Sequence, residues 1–236
     1  MQMNLVDHEW QLDKLYFWIQ VYFHLTEHCN VLTMRIRQLT PGLAILIIIS
    51  FQVNCSSSKK IQKKNLEVPI VSRSTWNADN PRPYKSHVPV KITVHHEGTQ
   101  LLLTDDAAKK IKRIQTWGMG KDRNWADIPY HFLIAPDGTI YEGRDVHTVG
   151  ETATEYDPSG HLLITCLGNF EKQEVFPEQL SSLIRLIAYC SIKYSIPVET
   201  LSTHRDNSAQ TTCPGKNLYH YFENGYVLAE VKKLLK

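Results

Sequence analysis

The chain has 236 residues, a formal net charge of +2 and a hydrophobic fraction of 42%. This length predicts one domain of ordinary size with appendages, and the composition allows a packed core. The charge balance lacks the basic excess that is typical of nucleic-acid-binding proteins, so no nucleic-acid partner is expected. Five cysteines without a repeated spacing indicate neither a disulfide framework nor a CxxC pair.

Residues 34–55 have the pattern of a secretion signal. Two arginines precede an apolar run at 43–51, which is shorter than the roughly 20 residues that span a bilayer. A basic start before a short apolar run is typical of a secretory signal peptide. Cys55 at its end resembles the lipidated cysteine of a bacterial lipoprotein, although Gln52 and Asn54 stand where aliphatic and small residues are usual. We expect a membrane-anchored lipoprotein that faces the periplasm, with a secreted protein as the alternative.

Residues 1–33 precede this signal and contain several aromatic side chains. A secretion signal behind such a segment would work poorly, because such signals act from the start of the chain. Our hypothesis is that translation begins at Met34, which peptides from residues 1–33 in the native protein would contradict. The polar residues 56–67 are typical of a flexible tether, and we expect the folded domain to cover 68–236.

Strands and helices alternate along this domain. The β-branched run Lys91–His96 predicts a strand, and the apolar spacing over Asp105–Trp117 predicts a helix capped by Thr104 or Asp105. A Pro-Asp-Gly turn joins two predicted strands into a hairpin. The elements predicted next are strands at Tyr130–Ile134, Thr139–Glu142 and Leu162–Leu167, a helix at Pro177–Tyr194, a strand end at Leu201–His204 and a helical tail over Tyr221–Leu235.

The continuous apolar run Leu162–Leu167 is typical of a buried central strand, and the proline at the start of Pro177–Tyr194 is typical of a helix N-terminus. We therefore predict a single α/β domain with a central mixed β-sheet that is flanked by helices on both faces.

Two histidines and a cysteine are candidate metal ligands. His95 and His204 stand at predicted strand ends, and Cys213 closes the loop that follows His204. Adjacent strand residues point to opposite faces, so His95 and His96 cannot both face one site. Two imidazoles and a thiolate form a three-ligand zinc site with a position left for water. An inert buried cysteine beside two hydrogen-bonded histidines is the alternative from spacing alone.

Five motifs in order resemble the N-acetylmuramoyl-L-alanine amidase type 2 family, which includes the peptidoglycan recognition proteins and phage lysozyme-amidases. The motifs are VSRSTWNA (71–78), ITVHHEGT (92–99), DIPYHFLIAPDGTIYEGRD (127–145), LGNFE (167–171) and HRDNSAQTTCPG (204–215). The resemblance covers the chain from about Val68 to its end. It implies a zinc-dependent amidase that hydrolyses the amide bond between N-acetylmuramic acid and L-alanine in peptidoglycan or muropeptides.

The resemblance also implies roles for single residues. Carried over by motif, His95, His204 and Cys213 are the zinc ligands, and Tyr130 and Thr211 are the catalytic residues near the scissile carbonyl. Zinc acidifies its bound water and polarises a carbonyl. Hydroxyl groups of the two catalytic residues are then expected to donate hydrogen bonds to the oxyanion.

This sequence departs from the family pattern at several positions. Cys213 lies nine positions after His204, one more than is common, which leaves open whether Gln210, Thr211 or Thr212 faces the substrate. Glu151 and Thr152 stand where relatives often have a histidine of the substrate groove, and EGRD (142–145) does not continue into the Gly-Trp of some relatives.

The remaining candidates are residues of the substrate groove and the general acid. His96 is expected in a supporting role near the groove. The other groove candidates are Trp117, Trp125, Arg144 and Tyr156, while Trp76 is expected to pack in the core. Glu97 is a candidate to protonate the leaving amine, although a solvated loop acid is the plainer interpretation.

Two functions from different classes follow from the resemblance. One is the zinc amidase, expected to act as a monomer on peptidoglycan. The other is a recognition module that binds peptidoglycan without cutting it. Such modules typically lack the cysteine ligand, so the presence of Cys213 favours the enzyme.

Overall fold

The computed structural model of the protein describes residues 66–236. The predicted N-terminal extension, the signal that ends in Cys55 and most of the tether lie outside this range. Leu66 and Val68 both pack against the hydrophobic core, so the folded part includes Leu66, ahead of the predicted start at Val68. Within the same range, no helix combines the length and the apolar content that crossing a membrane requires.

The described residues form a six-stranded sheet with helices around it. The strands are β1 (Ile70–Val71), β2 (Lys91–His96), β3 (Phe132–Ile134), β4 (Ile140–Glu142), β5 (His161–Cys166) and β6 (Ser202–Thr203). The α-helices are α1 (Ala107–Gly118), α2 (Pro177–Lys193), α3 (His204–Asn207), α4 (Lys216–Glu223) and α5 (Tyr226–Leu235), and short 3-10 helices form at Arg73–Trp76 and Val198–Thr200. The strand order is β1-β4-β3-β5-β2-β6, with β3 and β4 antiparallel and every other pair parallel.

Helices cover both faces of this sheet, as the sequence predicts. On one face, α2, α4 and α5 pack on alternate residues of β2 and β5, including Ile92, Val94 and Ile164. On the other face, α1 packs with Trp76 and Leu133. Burying each large aliphatic side chain stabilises the fold by about 1.5–3 kcal/mol, so the alternation along β2 and β5 holds both layers in place. The mixed α/β fold class is confirmed.

Most element predictions hold, with differences at the ends. Strand β2 has its predicted bounds, α2 begins at the predicted proline, and β5 lies between β3 and β2 with all six of its residues buried. Both predicted caps of α1 are wrong, because Asp106 accepts the hydrogen bond from the Lys109 amide at 2.9 Å. The predicted helical tail is two helices, since Gly225 adopts φ +76° between α4 and α5.

The His131 side chain links the sheet to a neighbouring loop, and its burial predicts how the stability of the fold depends on pH. Its Nδ1 accepts from the Leu163 amide at 2.8 Å, and its Nε2 lies 2.9 Å from the Thr148 carbonyl oxygen. A neutral ring with the proton on Nε2 satisfies both contacts. Burial lowers the pKa of His131 to about 3.

The free energy of unfolding should therefore fall as the pH drops from about 6.5 towards 3, because the unfolded chain takes up a proton that the folded ring refuses. One such proton contributes a slope of about 1.4 kcal/mol per pH unit. When urea unfolding is measured at several pH values, the free energy of unfolding should change less steeply with pH for His131→Gln than for the wild type. An NMR titration in which His131 gains a proton near pH 6 in the folded wild type would contradict the assignment.

Candidate metal centre

The sheet topology brings His95 and His204 together. Strand β6 pairs in parallel with β2, with Val94 opposite Thr203, and the carboxyl ends of parallel neighbours meet at one edge of a sheet. His95 is the penultimate residue of β2, while His204 directly follows β6 as the first residue of α3. Their ring centroids lie 4.6 Å apart.

A closed loop returns Cys213 to the same edge. Asp206 and Thr203 form a capping box at the start of α3, and the Arg205 amide donates to the Cys213 carbonyl oxygen at 2.8 Å. Gly215 then has φ +86°, and a Cβ there would lie 2.6 Å from the Phe170 carbonyl carbon. Only glycine allows this close approach, which holds the Cys-Pro-Gly turn against the loop that follows β5.

His95, His204 and Cys213 can converge on one cation. One ligand atom from each of the three buried residues lies within 4.8 Å of the others. His95 Nδ1 lies 3.8 Å from Cys213 Sγ, and Sγ also accepts from the His96 amide at 3.2 Å. Two imidazoles and one sulfur are donors that suit zinc and leave a coordination position open.

The electrostatics of the centre also favour metal binding. Burial, with the neighbouring His204 second, lowers the pKa of His95 well below its usual value. Burial lowers the pKa of His204 to about 4, so both rings keep a free lone pair at neutral pH. Burial raises the pKa of the Cys213 thiol to about 12. An unassisted thiolate nucleophile is therefore disfavoured, and a cation would displace the proton instead.

The three candidate ligands lie in the wall of a cavity of about 710 Å³. This volume falls in the range of small-molecule sites, about 300–1,000 Å³. The wall also contains Tyr130, Thr211, Trp117, Trp125, Lys110 and Arg113. The cavity thus joins the metal-ligand set to hydroxyl, aromatic and basic groups.

Tyr130 stands beside the ligand set. Its ring centroid lies 5.4 Å from that of His95. Burial, with the nearby Cys213 second, raises the pKa of Tyr130. The phenol therefore keeps its proton at neutral pH and can act as a hydrogen-bond donor.

Thr211 is the residue of its loop that faces the cavity. Neither Gln210 nor Thr212 contributes to the wall, and both are exposed. The Thr211 Oγ1 accepts from the Cys213 amide at 3.1 Å. That bond occupies a lone pair and leaves the hydroxyl proton available for another acceptor.

The two tryptophans and His96 occupy different parts of the wall. Trp117 is 53% exposed and meets Trp125 edge-on, with ring centroids 5.3 Å apart. His96 contributes to the wall, but its Nδ1 accepts from the Phe170 amide at 3.3 Å. His96 therefore stabilises the centre mainly through its own backbone bond to Cys213.

Arg144 lies outside the cavity wall, and its predicted groove role is corrected. The side chain is only 1% exposed and forms an ion pair with Glu151. Its Nε donates to the Ile128 carbonyl oxygen at 2.8 Å. Because every side of the guanidinium is held by protein, Arg144 anchors Glu151 and has no free face for a ligand.

Tyr156 and two threonines contact the ring nitrogens of the histidine ligands, and both threonines, Thr152 and Thr154, belong to the cavity wall. Tyr156 does not contribute to the cavity wall, and its Oη lies 3.4 Å from His95 Nε2. The Thr154 Oγ1 lies 2.7 Å from His204 Nε2, and the Thr152 Oγ1 lies 3.4 Å from it. Sequence reasoning did not single out Thr154, because nothing in its surroundings announces a contact with a residue 50 positions away.

Glu97 is a paired acid in the cavity wall. Its carboxylate forms an ion pair with Lys110 at 2.8 Å, and the side chains are 11% and 12% exposed, respectively. It also accepts from the Thr99 amide and hydroxyl, both at 3.1 Å. The expectation of a solvated loop acid is therefore wrong.

Comparisons with known proteins agree with this geometry. Residues 85–216 match the family model described as Amidase_2, N-acetylmuramoyl-L-alanine amidase. Peptidoglycan-recognition protein SD of Drosophila simulans is 34% identical over 159 residues, which cover 65% of this chain and 83% of that protein.

Solved structures show the same relationship. The N-acetylmuramoyl-L-alanine amidase LysC from Clostridium intestinale has a TM-score of 0.57 and 32% identity, over 69% of this chain and 99% of that one. Peptidoglycan recognition protein LE in complex with tracheal cytotoxin, a monomeric diaminopimelic acid-type peptidoglycan, has a TM-score of 0.56 and 31% identity, over 66% of this chain and 92% of that one. From the fold, the convergent site and these matches, we conclude that the chain belongs to the amidase type 2 family, which includes the peptidoglycan recognition proteins.

Proposed function

We propose that this protein is a zinc-dependent N-acetylmuramoyl-L-alanine amidase that hydrolyses the amide bond between N-acetylmuramic acid and L-alanine in peptidoglycan or muropeptides. The observation that carries the proposal is the convergence of His95, His204 and Cys213 within 4.8 Å in the wall of the cavity. Membership of the amidase type 2 family supports the reaction class.

The roles of the residues follow from their placement. Zinc held by three protein ligands would supply Lewis acidity and would lower the pKa of a bound water to about 7. The neutral rings of His95 and His204 and the sulfur of Cys213 would hold it. The Tyr130 and Thr211 hydroxyls, both at the wall, would donate hydrogen bonds to the oxyanion that forms at the scissile carbonyl.

The rest of the cavity suits a peptide-bearing ligand with carboxylate groups. Lys110 is paired with Glu97, whereas the Arg113 guanidinium forms no ion pair within residues 66–236. Arginine binds carboxylates in a bidentate manner, so Arg113 would meet a carboxylate of the stem peptide. The relative that is solved with tracheal cytotoxin supports a peptidoglycan-derived ligand.

The decisive experiment is a digest of defined muropeptides by the zinc-loaded protein, analysed by mass spectrometry. We expect the release of free stem peptide, and its loss after the metal is removed with a chelator and its return after zinc is added back. A folded, zinc-loaded protein that binds peptidoglycan but releases no peptide would overturn the amidase. It would establish the alternative, a non-catalytic module that binds peptidoglycan, and several relatives are named peptidoglycan recognition proteins.

We further propose that the protein acts in the cell envelope, anchored in the membrane through a lipid on Cys55. The support is the basic and apolar pattern of residues 34–55. Mass spectrometry of the native protein should find a mature chain that begins with lipidated Cys55. A mature chain that begins elsewhere or carries no lipid would contradict the anchor.

A further inference from the structure

We infer that Thr154 and Tyr156 are positioning residues of the metal centre, whose hydroxyl groups hold both histidine ligands with Nδ1 directed at the metal. The inference rests on the zinc centre of the proposed function and adds residues outside the ligand set. It concerns the groups that contact the ring nitrogens of the ligands and thereby decide ring orientation and tautomer.

The geometry at His204 assigns its two ring nitrogens. The Thr154 Oγ1 lies 2.7 Å from Nε2, a short hydrogen-bond distance. The Nδ1 atom of the same ring forms no hydrogen bond within residues 66–236. With the Nε2 proton donated to Thr154, the Nδ1 lone pair is the one that remains for a cation.

The geometry at His95 leads to the same assignment. Its Nδ1 lies 3.8 Å from Cys213 Sγ and thus faces the ligand set. Its Nε2 lies 3.4 Å from the Tyr156 Oη, a longer and weaker contact than that of Thr154. The Tyr156 ring also packs against the ring of His204, with centroids 5.2 Å apart. One tyrosine therefore supports both ligands.

One short segment, residues 151–156, supplies both hydroxyl groups and is anchored at two points. At its start, Glu151 is bound by Arg144 and accepts from the Ala126 amide at 3.1 Å. Between the two positioning residues, Glu155 accepts from the Ser208 hydroxyl at 2.7 Å. Neither anchor involves a metal ligand, so both hold the segment independently of a bound cation and help to set the orientations of the two histidines.

A partner behind Thr154 strengthens the contact. The Thr152 Oγ1 lies 3.0 Å from the Thr154 Oγ1 and accepts from the Thr154 amide at 3.3 Å. The Thr154 hydroxyl can thus accept from His204 while it donates to Thr152. The hydrogen bonds form a chain that favours one orientation of the Thr154 side chain.

The test compares zinc affinities, measured by competition with a chromophoric chelator. Thr154→Val keeps the shape of the side chain and removes its hydroxyl, and we expect zinc to bind about 10–100-fold more weakly. Thr154→Ser should restore the wild-type affinity. Tyr156→Phe should have a smaller effect because its contact is longer. Thr116→Val is the matched control, since it removes a hydroxyl that donates to the Lys112 carbonyl oxygen in α1. It should leave the zinc affinity unchanged.

A second readout needs no metal. NMR of the metal-free protein should show the His204 proton on Nε2 in the wild type and a mixture of tautomers in Thr154→Val. A folded Thr154→Val with unchanged zinc affinity and an unchanged His204 tautomer would overturn the inference and leave the amidase proposal intact. A wild type that binds no zinc would end the proposed function, and the tautomer measurement would still decide the role of Thr154.

Discussion

Replacing Cys213 by alanine should abolish stoichiometric zinc binding, and amidase activity with it. The sulfur is one of the three buried ligand atoms that converge within 4.8 Å. Without it, two imidazoles remain, which is fewer than the three protein ligands that catalytic zinc sites keep. The loss of metal should appear in elemental analysis of the purified protein, before any activity is measured.

A matched control separates metal loss from a packing defect. Cys190 is also a fully buried thiol, but it lies in α2 within the hydrophobic core. Cys190→Ala should lower stability by about 1–2 kcal/mol through the small cavity that it leaves and should keep its zinc. If Cys213→Ala retained one zinc ion per chain, the ligand assignment would be wrong.

Replacing Tyr130 by phenylalanine should leave zinc binding intact and lower kcat by about 10²–10³-fold. The variant keeps the ring beside His95 and loses only the hydroxyl, which burial keeps protonated and able to donate. Because that bond is needed when charge develops on the carbonyl oxygen, KM should change much less than kcat.

Tyr141 offers the control for this variant. It is a second partly buried tyrosine that packs against the same hydrophobic cluster, but it does not contribute to the cavity wall. Tyr141→Phe should retain wild-type kcat. If Tyr130→Phe and Tyr141→Phe had the same kcat, the Tyr130 hydroxyl would have no role in the reaction.

Much of the fold could be predicted because local patterns and tertiary contacts agree. The β-branched run of β2 and the apolar run of β5 each suit a strand with both faces covered. The ends of the helices were harder to predict. Asp105 and Asp106 are both residue types that cap helices well, and only the tertiary structure shows that Asp106 caps α1. In the tail, the break at Gly225 was missed because apolar residues continue on both sides of it.

The candidate site shows a similar division. The ligand set rested on motif spacing and family resemblance, and the structure brings His95, His204 and Cys213 together. Arg144 and Tyr156 follow the same hairpin and looked alike as groove candidates. Only their tertiary contacts distinguish the two residues. Arg144 is held by Glu151, whereas the Tyr156 hydroxyl contacts His95.

The sequence by itself determined the family, the fold class and the residue types that can hold zinc, because each of these depends on patterns within short segments. The tertiary structure decided which of Gln210, Thr211 and Thr212 faces the cavity. It also decided that Thr154 contacts His204. Both depend on how a loop returns to a strand edge after many residues, and such long-range contacts leave no periodic trace in the chain.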